Sequence, residues 1–427
     1  MTTHDAGHAA GRQADRYENR LLLILFLAFG FVFFDRQALA FLAPYIDAEI
    51  GLTNAQLGTL SGVLALTWAL AGMIAGRLSD RLGRRKPILI AAVLCFSLFS
   101  SASGLMGAFA GLLAARALMG VAEGAVLPMA QSLMAEASRE SRRGLNMGLV
   151  QGSSAGLLGG ILAPLVVVWL AETIGWRAAF FVTIIPGLLI AVWIAKSVHE
   201  RPPVSRLNTA AVDEPALPKP PLREVLKLRN IVLCMMIACC YLTWFIILIT
   251  FTPTFLTTVK GYDPGTMSGV MTCLGVAWVL WGFLTPGISD RIGRKPALIL
   301  FSVLALISPF ALVFVDDPVL LGALMILTYT GLGCFTLFMA TIPAETVPRG
   351  ALATALGLIM GVGELAGGFL APVIAGWASD QWGLSTAMFI AAGGAALVIV
   401  LSFGLRETAP AVLRRRGAPA AVAKEAM

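Results

Sequence analysis

The sequence predicts an all-α integral membrane protein, with twelve transmembrane helices in two pseudo-symmetric six-helix bundles. Three observations predict it. The 427 residues are 58% hydrophobic and only 13% charged, with a mean hydropathy of +0.84. A soluble domain carries about 25% charged residues, so this chain lacks the polar surface to cover a globule. Disordered chains, coiled coils, secreted disulfide scaffolds and ordinary soluble enzymes are excluded. Second, the apolar residues gather into twelve runs of bilayer-spanning length, about 20 residues each. Such runs must be helical, because lipid cannot satisfy a free peptide group. Third, the chain repeats at one spacing. SDRLGRRKP (79–87) recurs as SDRIGRKP (289–296), which sets Asp80 and Asp290 210 residues apart. Pro44 and Pro253 are 209 apart, and Ala163-Pro164 and Gly175 return 208 residues later as Ala371-Pro372 and Gly383.

Residues 1–20 are polar and carry no short apolar core with a small-residue cleavage site, so no cleaved signal is expected. The first bundle occupies 21–197, in runs 21–45, 54–77, 87–107, 109–134, 144–170 and 177–197. Residues 198–228 form the longest polar stretch and hold Pro202, Pro203, Pro215, Pro218, Pro220 and Pro221. They read as a linker, ending in a short basic segment (Leu222–Arg229) expected along the membrane surface. The second bundle occupies 229–405, in runs 229–257, 266–288, 296–315, 319–343, 351–376 and 385–405. Residues 406–427 form a polar tail.

Lysine and arginine orient the helices. With both termini and the linker in the cytoplasm, all but four of the 31 basic residues fall on the inner side. Arg177 and Lys260 lie outside, and Arg36 and Arg116 lie within spans. The net charge of +7 therefore faces anionic lipid and marks no nucleic-acid site. The six cysteines all sit in apolar runs without a Cys-x-x-Cys pair, and His4, His8 and His199 lie in polar segments. No metal site or cofactor is expected. The expected location is a bacterial inner (plasma) membrane, multi-pass, as a monomer.

Parallel six-helix repeats are a transporter architecture with the substrate site between the halves at mid-membrane. The segment Gly-Arg-Leu-Ser-Asp-Arg-Leu-Gly-Arg-Arg-Lys (76–86), with its second copy, resembles the loop signature of the major facilitator superfamily. The resemblance covers about 21–405. It implies that Asp80, Arg81 and Arg84, with their counterparts Asp290, Arg291 and Arg294, gate the cytoplasmic side. The alternative is a solvated basic loop that only obeys the charge rule.

Five ionisable residues lie inside spans: Asp35, Arg36, Arg116, Glu123 and Glu364. Each costs about 2.5–3.5 kcal/mol at the bilayer centre, so such groups usually face a cavity and act there. At 1.5 Å per residue, Asp35 lies roughly 21 Å from the inner end of its helix and Arg116 roughly 10 Å from the outer end of its own. In a core of about 30 Å these depths nearly coincide, so Arg116 is placed to meet Asp35. Glu123 follows Arg116 by seven residues on the same helical face and is the better candidate for a carried proton. The alternative is that Asp35–Arg116 and Arg36–Glu123 are ion pairs that only fix packing, although buried pairs stabilise poorly.

FFDRQALAFLAP (33–44) and RALMGVAEGAVLP (116–128) resemble the anion:cation symporter group of that superfamily. Aromatic-acid:proton symporters usually show an Asp-Gly-Asp-like signature in helix one and lack the helix-four glutamate, and this sequence departs from both features. The resemblance implies that Arg36 binds a substrate carboxylate, that Asp35 and Glu123 carry protons, and that Arg116 couples them. GVGELAGGFLAP (361–372) departs from the group, which often has asparagine where Glu364 stands. Glu364 would bind a substrate hydroxyl, cation or amide, carry another proton, or simply be protonated and hydrogen-bonded. Tyr241 stands where glutamate-type relatives place arginine, which favours a monoanion. Gln151 and Ser154 are either substrate contacts or part of a small-residue packing face (152–160). Tyr45, Trp244, Phe245 and Phe338 are possible cavity aromatics, and Glu345 a gate or capping contact.

The resulting expectation is a proton-coupled symporter of a small organic anion, a monocarboxylate such as a sugar acid or aromatic acid, working by alternating access. The runner-up is a proton-coupled efflux antiporter for drugs or metabolites. A receptor would need a soluble domain that the sequence lacks, and an enzyme would need a nucleophile–base set that it does not show.

Overall fold

Each apolar run closes its backbone hydrogen bonds on itself, and twelve spanning helices result. They are α1 (Asp15–Ile50), α2 (Asn54–Gly76), α3 (Lys86–Ser103), α4 (Phe109–Ala137), α5 (Arg142–Ile174), α6 (Trp176–Ser197), α7 (Arg229–Val259), α8 (Pro264–Ile292), α9 (Arg294–Phe314), α10 (Pro318–Thr346), α11 (Thr354–Trp382) and α12 (Ser385–Phe403). This computed structural model describes residues 3–82, 84–199, 222–348 and 351–415. At 3–14, 77, 80–82, 140–141, 222, 332, 353, 411 and 415 only the backbone is described. The prolines of the expected linker lie outside the described residues. After them comes a single helical turn, Leu222–Val225, before α7.

Several helices run beyond the apolar limits read from sequence, the first two among them. The first continues through the polar N-terminal residues, Thr3–Ile50. The second runs to Leu82, so most of the signature expected as a loop is helical. Nothing between Gly76 and Leu82 opposes a helix until a glycine follows. In the second copy that glycine, Gly293, adopts φ 109°, a backbone conformation that L side chains rarely adopt. The repeat markers Gly175 and Gly383 have the same role. They end α5 and α11 at φ 85° and 88°.

The halves meet most closely at the end away from the chain termini. There α2 packs on α11 and α5 on α8. Gly160 lies against Gly275, and a Cβ on Gly160 would stand 2.7 Å from the Gly275 Cα. Glycines thus let two backbones approach across the pseudo-symmetric interface. Wide π-type turns interrupt α5 at Ala155–Leu162 and α11 at Glu364–Leu370. These segments are equivalent under the 208-residue repeat. Such turns recur at functional sites, and both flank the space between the halves.

Candidate functional site

A cavity of about 710 Å³ lies between the bundles, lined from α1, α2, α4 and α5 on one side and α7, α8, α10 and α11 on the other. It reaches the exposed residues Gly144, Leu145 and Gly357. That is the face carrying the first turns of α1, where buried Glu18 accepts hydrogen bonds from Asn146 at 2.7 Å and Arg139 at 3.3 Å. At the opposite face the halves are latched. Asp380, at the end of α11, accepts from the backbone N–H of Asn54 (2.8 Å), the Asn54 side chain (2.9 Å) and the N–H of Ala55 (2.9 Å). A carboxylate here satisfies the free amides of the first turn of α2 and meets the positive end of its dipole.

The five intramembrane charges converge as one cluster, but not as the expected pairs. Arg36 lines the cavity with its guanidinium over the rings of Trp68 (5.4 Å) and Phe33 (5.8 Å). Among the described residues no carboxylate comes within 4 Å of it. Arg116 also lines the cavity and stands at the expected depth. Its Nη1, however, donates to the backbone carbonyl of Arg36 at 3.2 Å, while Nε and Nη2 have no partner. Asp35 is 1% exposed and absent from the lining. Its carboxyl faces Ser100 and Thr183, whose hydroxyls are 3.3 Å apart. Consecutive helical residues point about 100° apart, so α1 turns Arg36 to the cavity and Asp35 into its own bundle. Glu123 is fully buried with both carboxylate oxygens unpartnered, within electrostatic reach of Arg36 and Arg116. Glu364 lines the far wall from the π segment of α11, with Oε2 unpartnered.

Gln151 and Tyr241 line the cavity as expected, whereas Ser154 and Tyr45 do not. The Ser154 hydroxyl turns back to the Val150 carbonyl of its own helix. Tyr45 lies more than a turn beyond the last lining residue of α1, near Glu172. Phe245 lines the cavity, while Trp244 and Phe338 stand behind Tyr241, at 5.3 and 5.4 Å between ring centroids.

Of the expected gating residues, the side chains of Asp80 and Arg81 lie outside those described. Arg84 and Arg291 are exposed. Arg294 binds Asp290 (2.6 Å), Glu345 (2.8 Å) and Ser289 (2.6 Å), all within its own bundle. In the first bundle Arg85 pairs with Glu136, the same arrangement 209 residues earlier. Arg294 therefore bonds inside its own bundle and not across the opening that it was expected to latch.

Sequence reasoning missed Trp68, Trp278, Gln131 and Asp380. A tryptophan deep within a run, rather than at its end, was a usable signal for the first two. Gln131 donates to Gln151 at 2.9 Å. Asp380 had a clearer mark, since Ser379-Asp380…Gly383 matches Ser79-Asp80…Gly83 and Ser289-Asp290…Gly293.

The sequence profile of the Major Facilitator Superfamily matches residues 25–371. The chain belongs to the major facilitator superfamily. Its members are transporters, not enzymes, and this chain is a multi-pass, twelve-helix example. It is 30% identical over 364 residues to a probable 4-methylmuconolactone transporter of Cupriavidus pinatubonensis, covering 83% of this chain and 82% of that one. It is 27% identical over 403 residues to a hexuronate transporter of Bacillus subtilis, covering 90% and 93%. Among solved structures, a bacterial homologue of the human lysosomal transporter Spinster superposes with a TM-score of 0.77 at 19% identity, covering 91% of this chain and 96% of that one. The cavity between the halves carries two arginines, Arg36 and Arg116, and one carboxylate, Glu364, in its lining.

Proposed function

We propose that this transporter is a proton-coupled symporter of a small organic anion, a monocarboxylate, working by alternating access in a bacterial inner membrane. One observation carries the reading. The Arg36 guanidinium lines the cavity without a carboxylate partner among the described residues, and a delocalised fork in that position matches a carboxylate. The two sequence relatives named above, described as transporters of 4-methylmuconolactone and of hexuronate, support the same substrate class. The basic residues support cytoplasmic termini; the cavity then opens inward while the Asp380 latch closes the outer end.

Glu123, Asp35 and Glu364 serve as the proton-binding groups, because each has a carboxylate oxygen with no donor. Protonating them leaves Arg36 and Arg116 uncompensated, so the cavity becomes positive and recruits the anion. Releasing the protons to the cytoplasm returns negative charge to the cluster and expels it. Arg116 couples the two events through its position between Asp35, Glu123 and Arg36. Asp80, Arg81, Arg84, Asp290, Arg291 and Arg294 belong to the inner gate, which is released in this inward-open state.

The test is transport in liposomes. Glu123→Gln is expected to abolish accumulation driven by a pH gradient yet keep exchange of substrate between compartments. Full proton-driven accumulation by Glu123→Gln, or unchanged anion affinity in Arg36→Ala, would sink the reading.

A further inference from the structure

We infer that the substrate is a flat, ring-bearing monocarboxylate, an aromatic or conjugated acid, and not a polyhydroxylated sugar acid. The inference rests on the organic-anion reading and narrows it. Three features of the cavity carry it.

The first is the setting of the anchor. The Arg36 guanidinium carbon stands 5.4 Å from the Trp68 ring centroid and 5.8 Å from that of Phe33, within cation–π range of both rings. A guanidinium held on a ring presents its N–H edge to a planar carboxylate and stays oriented without a counter-ion. The second is what continues from that anchor. Phe33 meets Trp278 edge-on at 5.7 Å, and Trp278 meets Phe245 at 5.1 Å. Phe33, Trp68, Phe245 and Trp278 all line the cavity. A ring extending from the bound carboxylate would run along this wall, where offset and edge-on aromatic contacts are favourable. A polyol laid on the same wall would lose water from each hydroxyl and find only the indole N–H groups of Trp68 and Trp278 as unpartnered donors.

The third is the poverty of free polar groups. Gln131 donates to Gln151, and the Thr336 hydroxyl donates to the Gly333 carbonyl at 2.7 Å. Gln37, Ser61, Ser153, Thr250 and the unpartnered hydroxyl of Tyr241 remain along the lining, which suits a ring with one or two polar substituents better than a chain of hydroxyls. Charge limits the substrate further. Arg36 and Arg116 share the cluster with Asp35, Glu123 and Glu364, and Glu364 is within electrostatic reach of Arg36. A second substrate carboxylate reaching the far wall would meet Glu364 there.

The experiment is a binding panel on the purified full-length protein below neutral pH, using benzoate, 4-hydroxybenzoate, cyclohexanecarboxylate, phthalate and D-glucuronate as probes. Calorimetry gives the dissociation constants, and a cooperative melt verifies the fold. Benzoate and 4-hydroxybenzoate are expected to bind at least about tenfold more tightly than D-glucuronate, a discrimination within reach of one well-shaped pocket. Cyclohexanecarboxylate, equal in charge but not flat, is expected to fall between them, and the dianion phthalate to bind more weakly than benzoate. Trp68→Leu, or Trp278→Leu if the first variant does not fold, should erase the preference for benzoate over cyclohexanecarboxylate. D-glucuronate binding as tightly as benzoate overturns this inference and leaves organic-anion transport standing. Failure of every carboxylate to bind a cooperatively melting protein overturns both.

Discussion

Arg36 and Asp35 adjoin in sequence but serve different compartments, because one helical step rotates the side chain by about 100°. Arg36 reaches the cavity, and Asp35 faces Ser100 and Thr183 inside the first bundle. Their substitutions should therefore separate. Arg36→Lys keeps the charge but loses the planar group that lies on Trp68 and Phe33, and an arginine-to-lysine change at a stacked, bidentate site is not conservative. We expect at least about a tenfold rise in KM for the anion, from the loss of one charge-assisted hydrogen bond of about 1.5 kcal/mol or more. Asp35→Asn should leave that KM nearly unchanged and reduce accumulation under a pH gradient. Uptake kinetics with and without the gradient check both. The cluster itself was legible in the sequence, since a charge in an apolar run announces itself. The pairing was not. Equal depth placed Arg116 beside Asp35, but depth says nothing of azimuth, and the Arg36 carbonyl took the hydrogen bond instead. Ser154 falls on the packing-face side of its two readings for a related reason, because a buried serine can satisfy itself on its own helix four residues back.

At the scale of elements, the same short sequence stands at the end of three helices and does different work on the two faces. Ser-Asp-x-x-Gly recurs at 79–83, 289–293 and 379–383, and its glycine closes the eighth and eleventh helices. On α11 its aspartate crosses the pseudo-symmetric interface and caps α2 with three hydrogen bonds. The α5 counterpart of Asp380, Glu172, meets a different situation, for the start of α8 is already capped. Asp263 accepts from the Thr266 N–H at 3.1 Å and from its hydroxyl, and these donors hold the Asp263 carboxyl below the usual range. That cap stays intact at and above ordinary carboxylate pH values and fails only as pH falls below them. One side of the interface is thus capped across the two halves and the other is self-capped. Asp380→Ala removes a capping carboxylate worth about 1 kcal/mol, so the balance between inward-open and outward-open forms should move roughly fivefold toward outward-open. Spin-label distances across the outer ends of α2 and α11 would read the shift, and an unchanged distribution would deny the latch its role. The spans and the repeat were read from sequence because lipid demands long helices and duplication preserves spacing. The continuation of the second helix to Leu82 was not, since polar residues past the membrane edge look like a loop until the glycine that ends them is considered.

For the molecule as a whole, the question is which way the cavity faces, and charge and geometry each supply one half of the reading. The positive-inside pattern puts the termini in the cytoplasm, and the cavity reaches Gly144, Leu145 and Gly357 on the terminus-bearing face. The glycine contact of Gly160 with Gly275 and the Asp380 cap close the opposite face. If both readings hold, a reporter at the wide end is reached by water from the cytoplasm alone. Leu145 is 57% exposed and suits such a reporter. The six native cysteines, two of them buried, are first replaced by alanine or serine, and Leu145→Cys is introduced. A membrane-impermeant maleimide should label this cysteine in inside-out vesicles and not in right-side-out ones. Gly160→Val adds bulk where the halves touch, so it should hold the outer end apart, lower inside-out labelling of Cys at 145 and abolish transport without loss of expression. Labelling from the outside in the unmodified background would reverse the orientation. Equal labelling with and without Gly160→Val would mean that closure of the outer end and opening of the inner one are not the two sides of a single motion.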